Sequence, residues 1–329
     1  MKRLLLTLCI FAVTLNPIAQ ARTYKMATLP WVGYSPANVA EVKGFWKEAG
    51  LDVRVFNLHT LQAIDEALQN KTVDLAFGIT GGEVELYAKG VPLKILAEID
   101  WSYGGDKIVV KNNFDPNTLK TKPIGIYQVG PSLSFFLDHY LSTLGVKLSE
   151  TTLNETELDV LTQNFIQGVF EVIVTYDPYA LQAEREGNGK VAATSRDYPG
   201  VITDSIMALD EAVKDIPRQD LVNFFKGWLK AEAWIHDPAN WKEYMDILNT
   251  HTFAGEGPYS EEDLRDMAAS VKILDPTLLR ERNQPNGGLS QYLQELKTFL
   301  DTNQQLQKEF TAEAILDTSA LLEALDQAQ

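Results

Sequence analysis

Four short segments rich in glycine, hydroxyls and aromatic rings hold the residues best suited to chemistry, each at the expected C-terminal end of a strand. They are Pro30-Trp31-Val32-Gly33-Tyr34-Ser35-Pro36, Gly78-Ile79-Thr80-Gly81-Gly82, Gln128-Val129-Gly130-Pro131-Ser132 and Tyr176-Asp177-Pro178-Tyr179. Ligands of open α/β sheets bind at such strand ends. The second and third segments each open a helix, whose free N–H groups and positive dipole end attract a carboxylate, sulfonate or phosphate. Pro131 is pre-set for a first helical turn. Every helix has such an end, so the weight rests on two of them in corresponding series. Asp177 with aromatic neighbours suits an ammonium or a polar N–H donor; an Asx turn beside proline explains it equally well.

Catalytic patterns are missing. His59, His139, His236 and His251 form no close pair at metal-ligand spacing, and Cys9 is the only cysteine. No nucleophile elbow, Walker A loop or dinucleotide fingerprint occurs. Gly187-Asn188-Gly189-Lys190 follows a charged helix and reads as a surface turn. The expectation is a binding site with no catalytic residue, no metal and no cofactor.

Strand and helix signals alternate through the first two thirds, as in a parallel α/β sheet. Strands are expected at 24–29, 51–58, 73–77, 93–99 and 107–111, then at 124–127, 151–153, 169–175 and 201–209. Helices are expected at 39–49, at 61–68 behind the cap Thr60, at 83–89, at 132–144 and at 161–167. Beyond Asp210 the chain turns mainly helical, with Trp228, Trp234, Trp241 and Tyr244 at core-compatible spacing.

The N-terminus carries an export signal pattern. Lys2 and Arg3 precede the apolar stretch Leu4 to Leu15, and Ala19-Gln20-Ala21 supplies the small-x-small pattern for cleavage after Ala21. Cleavage removes Cys9, so the core rather than disulfides must hold the mature chain. A formal charge of −16 argues against nucleic acid and anionic lipid as partners. No later segment is long and apolar enough to insert in a membrane.

Taken in order, these segments resemble the periplasmic substrate-binding proteins of taurine, aliphatic-sulfonate and nitrate ABC importers, a family that includes thiamine-pyrimidine binding proteins. The resemblance also rests on Gly44-Phe45-Trp46-Lys47-Glu48-Ala49-Gly50-Leu51-Asp52-Val53, Asn70 to Asp74, Tyr103-Gly104-Gly105-Asp106, Ile124-Gly125 and Gln167-Gly168-Val169-Phe170-Glu171. Tyr176 stands where many relatives carry Trp, and Pro131 where they often carry Thr or Ser.

The resemblance implies a type II periplasmic-binding fold of two doubly wound α/β lobes joined by two crossover strands. One lobe would hold residues 22–108 and 205–329, the other residues 109–204. Closure of the lobes, flexing near 107–111 and 201–209, would bury the ligand. Trp31, Tyr34, Trp101 and Tyr176 would form walls. Thr80, Gly81, Gly130 and Ser132 would donate to an anionic head, Asp177 would accept from an amine, and Gln128 is a further ligand-binding candidate. The expected ligand is taurine-like, sulfonate-like, nitrate or nitrogen-containing. The expected partners are an inner-membrane permease and ATPase, with the binding protein a periplasmic monomer. A periplasmic enzyme on the same fold and a ligand-sensing partner of a membrane receptor kinase are the alternatives.

Overall fold

A computed structural model describes residues 22–127 and 130–328. The export signal expected at 1–21 and the site residue Gln128 lie outside the described residues.

Among the described residues, long apolar runs punctuated by Gly, Pro and Asn become eleven strands: β1 Thr23–Thr28, β2 Asp52–Asn57, β3 Leu75–Ile79, β4 Leu93–Ser102, β5 Asp106–Lys111, β6 Ile124–Ile126, β7 Leu153–Glu155, β8 Val172–Tyr176, β9 Gly189–Thr194, β10 Thr203–Leu209 and β11 Val271–Ile273. They make two sheets. The larger runs β11-β4-β10-β3-β1-β2 and the smaller β7-β6-β8-β5-β9. β1 pairs in parallel with β2 and β3, the arrangement expected of βαβ units. β10 returns antiparallel between β3 and β4. Covered on both faces, β3, β4 and β10 are almost wholly buried.

The chain passes between the sheets twice, at residues 103–105 and 195–202. Flexing was expected at 107–111 and 201–209. Most of these residues are ladder-bound: Lys107–Lys111 pair on both sides within the smaller sheet, and Thr203–Leu209 within the larger. The short links lie outside both ladders, and they are pinned to each other. Ser195 Oγ sits 2.8 Å from Ser102 Oγ and accepts the Gly104 N–H at 2.7 Å.

Helices cover both sheets. Thr60 accepts the Ala63 N–H at 3.1 Å and so caps the helix Leu61–Gln69, as its position before an apolar-periodic run predicts. On the larger sheet the helix Arg218–Ile235 brings Trp228 beneath Phe77 of β3, ring centroids 5.6 Å apart. Trp46 stacks on Phe224 and donates its indole N–H to the Phe224 carbonyl. A further apolar cluster draws on both sheets. In it Phe135 of the helix Pro131–Thr143 meets Phe299 of the helix Gly288–Thr302 at 5.2 Å.

Two strands went unforeseen. β9 follows the turn at 187–188 and starts at Gly189, and β11 is only three residues long. Both are edge strands, where half-exposed side chains blur the apolar run.

Candidate functional site

The larger sheet supplies one wall of a cleft. β1 runs into the tight turn Val32–Tyr34, which lays the Tyr34 ring flat on Phe77, centroids 4.5 Å apart and planes 3° from parallel. Near the end of β4 stands Asp100, whose Oδ1 lies 3.3 Å from the donating Trp31 Nε1. Asp204 of β10 is its direct cross-strand partner. The register sets the two buried acids side by side, with Tyr34 near both. The approach is close because Gly33 has no side chain: a Cβ there would stand 2.4 Å from Asp100 Oδ2.

The helix Thr80–Ala88 begins where β3 stops. The Thr80 and Ser205 hydroxyls lie 2.9 Å apart, and Ser205 donates to Glu83 Oε2. The Gly81 N–H donates to Ser132 Oγ at 3.1 Å, a bond that joins a helix of the larger sheet to one of the smaller.

The smaller sheet supplies the facing wall. Asp106 opens β5 and accepts the Tyr127 hydroxyl, while its N–H donates to Ser102 Oγ at 3.1 Å. Tyr176, ending β8, meets Tyr127 edge-on at 5.2 Å and Tyr179 at 5.9 Å. Gly130, with φ 72° and ψ −159°, turns the chain into the helix Pro131–Thr143 in a conformation only glycine adopts readily.

Four carboxyls are thus buried together, and burial raises each of them. Glu83 is pushed up to about 8, Asp100 to about 7, Asp204 well above the carboxylate range, and Asp106 upward. For Asp204 the neighbouring Asp100, Asp106 and Glu83 add to burial. Burial and the same acids hold the Tyr34 and Tyr127 hydroxyls firmly protonated. Such a site keeps protons at neutral pH unless a positive charge enters.

The structure brings Trp31 and Tyr34 together around Asp100 and Asp204, and Gly81 against Ser132. Tyr176 joins them through Tyr127 and Asp106. Gly130 faces Glu85 and Gly82. Thr80 and Gly81 already spend their donors within the protein, on Ser205 and Ser132. Trp101 stands apart: its indole donates to Glu98 at 2.6 Å, and the Arg282 guanidinium lies over its ring. Asp177 is ion-paired with Lys107. Glu83, Asp100, Asp106, Asp204 and Tyr127 were not foreseen. One signal was present: an Asp inside the apolar run Val201 to Leu209 requires a partner or a purpose.

A cavity of about 830 Å³ has Gln62, Asp65, Glu83, Gly130, Pro131 and Glu155 on its walls, and of the four buried acids it touches Glu83. A smaller one of about 220 Å³ lies among Phe135, His139, Tyr198 and Tyr292.

Comparison with known proteins agrees with this architecture. The model of the NMT1-like family matches residues 19–249. The chain belongs to the NMT1-like family. This NMT1-like chain is 25% identical over 224 residues to YtlA of Bacillus subtilis (strain 168), named a binding protein. The match spans 62% of this chain and 63% of YtlA. Among solved structures, it resembles the alkanesulfonate-binding protein SsuA from Xanthomonas axonopodis pv. citri bound to MOPS, with TM-score 0.66, 14% identity and coverage of 91% and 100% of the two chains. It also resembles the periplasmic nitrate-binding protein NrtA from Synechocystis PCC 6803, with TM-score 0.68, 16% identity and coverage of 94% and 90%. At such identities the likeness establishes the fold of the NMT1-like chain, that of periplasmic binding proteins.

Proposed function

We propose that this chain is the solute-capturing component of an ABC importer, exported to the periplasm with cleavage after Ala21. It encloses a small polar ligand, sulfonate-like or nitrogen-containing, between two lobes, one built on the larger sheet and one on the smaller. The observation that carries this reading is the Gly81–Ser132 bond, which joins helix starts from two sheets directly beside Glu83 and the Asp100–Asp204 pair. Membership of the NMT1-like family and the fold shared with importer components support it. Among the described residues no helix is long and apolar enough to cross a membrane, in keeping with a carrier that hands its ligand to a separate permease and ATPase. The carrier acts as a monomer.

A thermal-shift screen against small sulfonates, amino acids, nitrate and pyrimidines tests this. A ligand present at about 100 times its Kd adds about 2.7 kcal/mol of stability. The expected result is a single ligand class that stabilises the protein, binds one per chain and is recovered unchanged. Chemical conversion of the ligand by substoichiometric protein would contradict the binding role.

A further inference from the structure

The larger sheet's Asp100 and Asp204 are direct cross-strand partners, and both are buried. Asp100 is fully buried, yet its Oδ2 has no hydrogen-bond partner, and neither has Oε1 of the equally buried Glu83. Two carboxylate oxygens can meet only if a proton lies between them or a cation beside them. The groups that face the pair are Trp31 and Tyr34 from the turn after β1, Glu83 from the helix Thr80–Ala88, Glu98 on β4 itself, and Asp106 and Tyr127 from the smaller sheet. Tyr292 of the helix Gly288–Thr302 approaches from a further side. Glu98 already has its cation, Arg282 at 2.8 Å. The others are acids or neutral rings. No three of the acids converge as metal ligands among the described residues, whereas Trp31, Tyr34, Tyr127 and Tyr176 offer aromatic surface beside them, the setting that holds organic cations.

We infer that the cleft takes a small organic cation with a flat apolar body, whose positive charge replaces the proton shared by Asp100 and Asp204. This deepens the proposed binding role and rests on it. The exchange is balanced: the protonated pair and the cation give the ion-paired complex, and the proton leaves to solvent. Affinity therefore rises with pH while the free pair still holds its proton, by up to about tenfold per pH unit for one proton released, and levels off once the pair has lost it.

The probes are benzylamine and benzamidine as cations, benzenesulfonate as the matched anion and benzyl alcohol as the neutral body. Thermal shifts rank them at pH 7, and calorimetry in phosphate and in Tris counts the protons exchanged. The inference expects the two cations alone to stabilise the protein, with about one proton released per ligand bound. Asp204→Asn should bring that release toward zero. Asp100→Asn serves if the first variant does not fold, and the pH slope of the unaltered protein decides the matter without either. Cation binding with no proton release, or with affinity that weakens as pH rises from 5 to 7, would overturn the exchange. Stabilisation by benzenesulfonate alone would overturn the preference for a cation and leave the binding role standing. Failure of every probe would overturn the inferred cation and leave the binding role standing.

Discussion

Asp204 stands directly opposite Asp100 in the antiparallel ladder between β10 and β4, and the Tyr34 hydroxyl closes on the same pair. A ladder position is a rigid one. Neither strand can turn its acid away without giving up a central hydrogen-bonded row, so the fold itself holds two acids where water cannot solvate them.

The ligand-free protein should lose stability as pH rises from about 5 to 8. Burial lifts Asp100 from 3.8 to about 7 and Glu83 from 4.5 to about 8. The folded state then binds more protons than the unfolded chain. Its advantage is complete below the unfolded values and lost as pH climbs through the folded ones. Calorimetric melting at half-unit steps should show a falling Tm, and Glu83→Gln should flatten the fall. Equal slopes in both proteins would refute Glu83 as a source.

Gly81→Ala should hold the two walls apart. A Cβ at Gly81 would stand 2.3 Å from Ser132 Oγ and 3.0 Å from the Ser132 backbone nitrogen. Ligand affinity should drop at least about tenfold, equivalent to about 1.4 kcal/mol. The ligand-free Tm should not fall, because alanine favours the helix that starts at Thr80. Isothermal titration and a melt on the same sample check both parts.

Ser195→Ala should loosen the links between the sheets. It strips the Ser102 hydroxyl and the Gly104 N–H of a shared partner, leaving polar groups unmatched at a cost of about 1–3 kcal/mol. A urea titration would register the loss as a lower midpoint with an unchanged slope.

Trp228 separates packing from hydrogen bonding. It is fully buried, yet its indole N–H has no partner. Trp228→Ala should cost about 3–5 kcal/mol through the cavity left beneath Phe77. Trp228→Phe, which keeps most of the ring and removes the orphan donor, should cost less than about 1.5 kcal/mol. Chemical denaturation of the two variants measures the difference.

Local pattern carried much of this structure. Apolar runs ending in Gly-rich, aromatic segments placed β1, β3 and β8, and through them Tyr34, Gly81 and Tyr176 at or just past the C-terminal ends of those strands. Helix-opening residues marked Gly130 and Ser132. The acids escaped because their meaning is non-local. Asp100 lies near the end of one strand and Asp204 near the start of another far along the chain, and only the β4–β10 register makes them neighbours. Trp101 was misleading for the opposite reason: a tryptophan at a strand end reads as a wall, whereas here it serves the Glu98–Arg282 ion pair. The anion donors expected at Thr80 and Gly81 turned inward on hydroxyls that no local motif foretells.

The enclosure of a solute between the sheets can be watched across the mouth of the cavity. Gln62 and Glu155 are exposed and line that opening from the larger-sheet and smaller-sheet sides. Spin labels on Gln62→Cys and Glu155→Cys, in a chain expressed from Arg22 and so free of Cys9, report their separation by pulsed electron resonance. Saturating the protein with whichever compound stabilises it most should shorten and narrow the distance distribution. An identical distribution with and without that compound would contradict a cleft that shuts on its ligand.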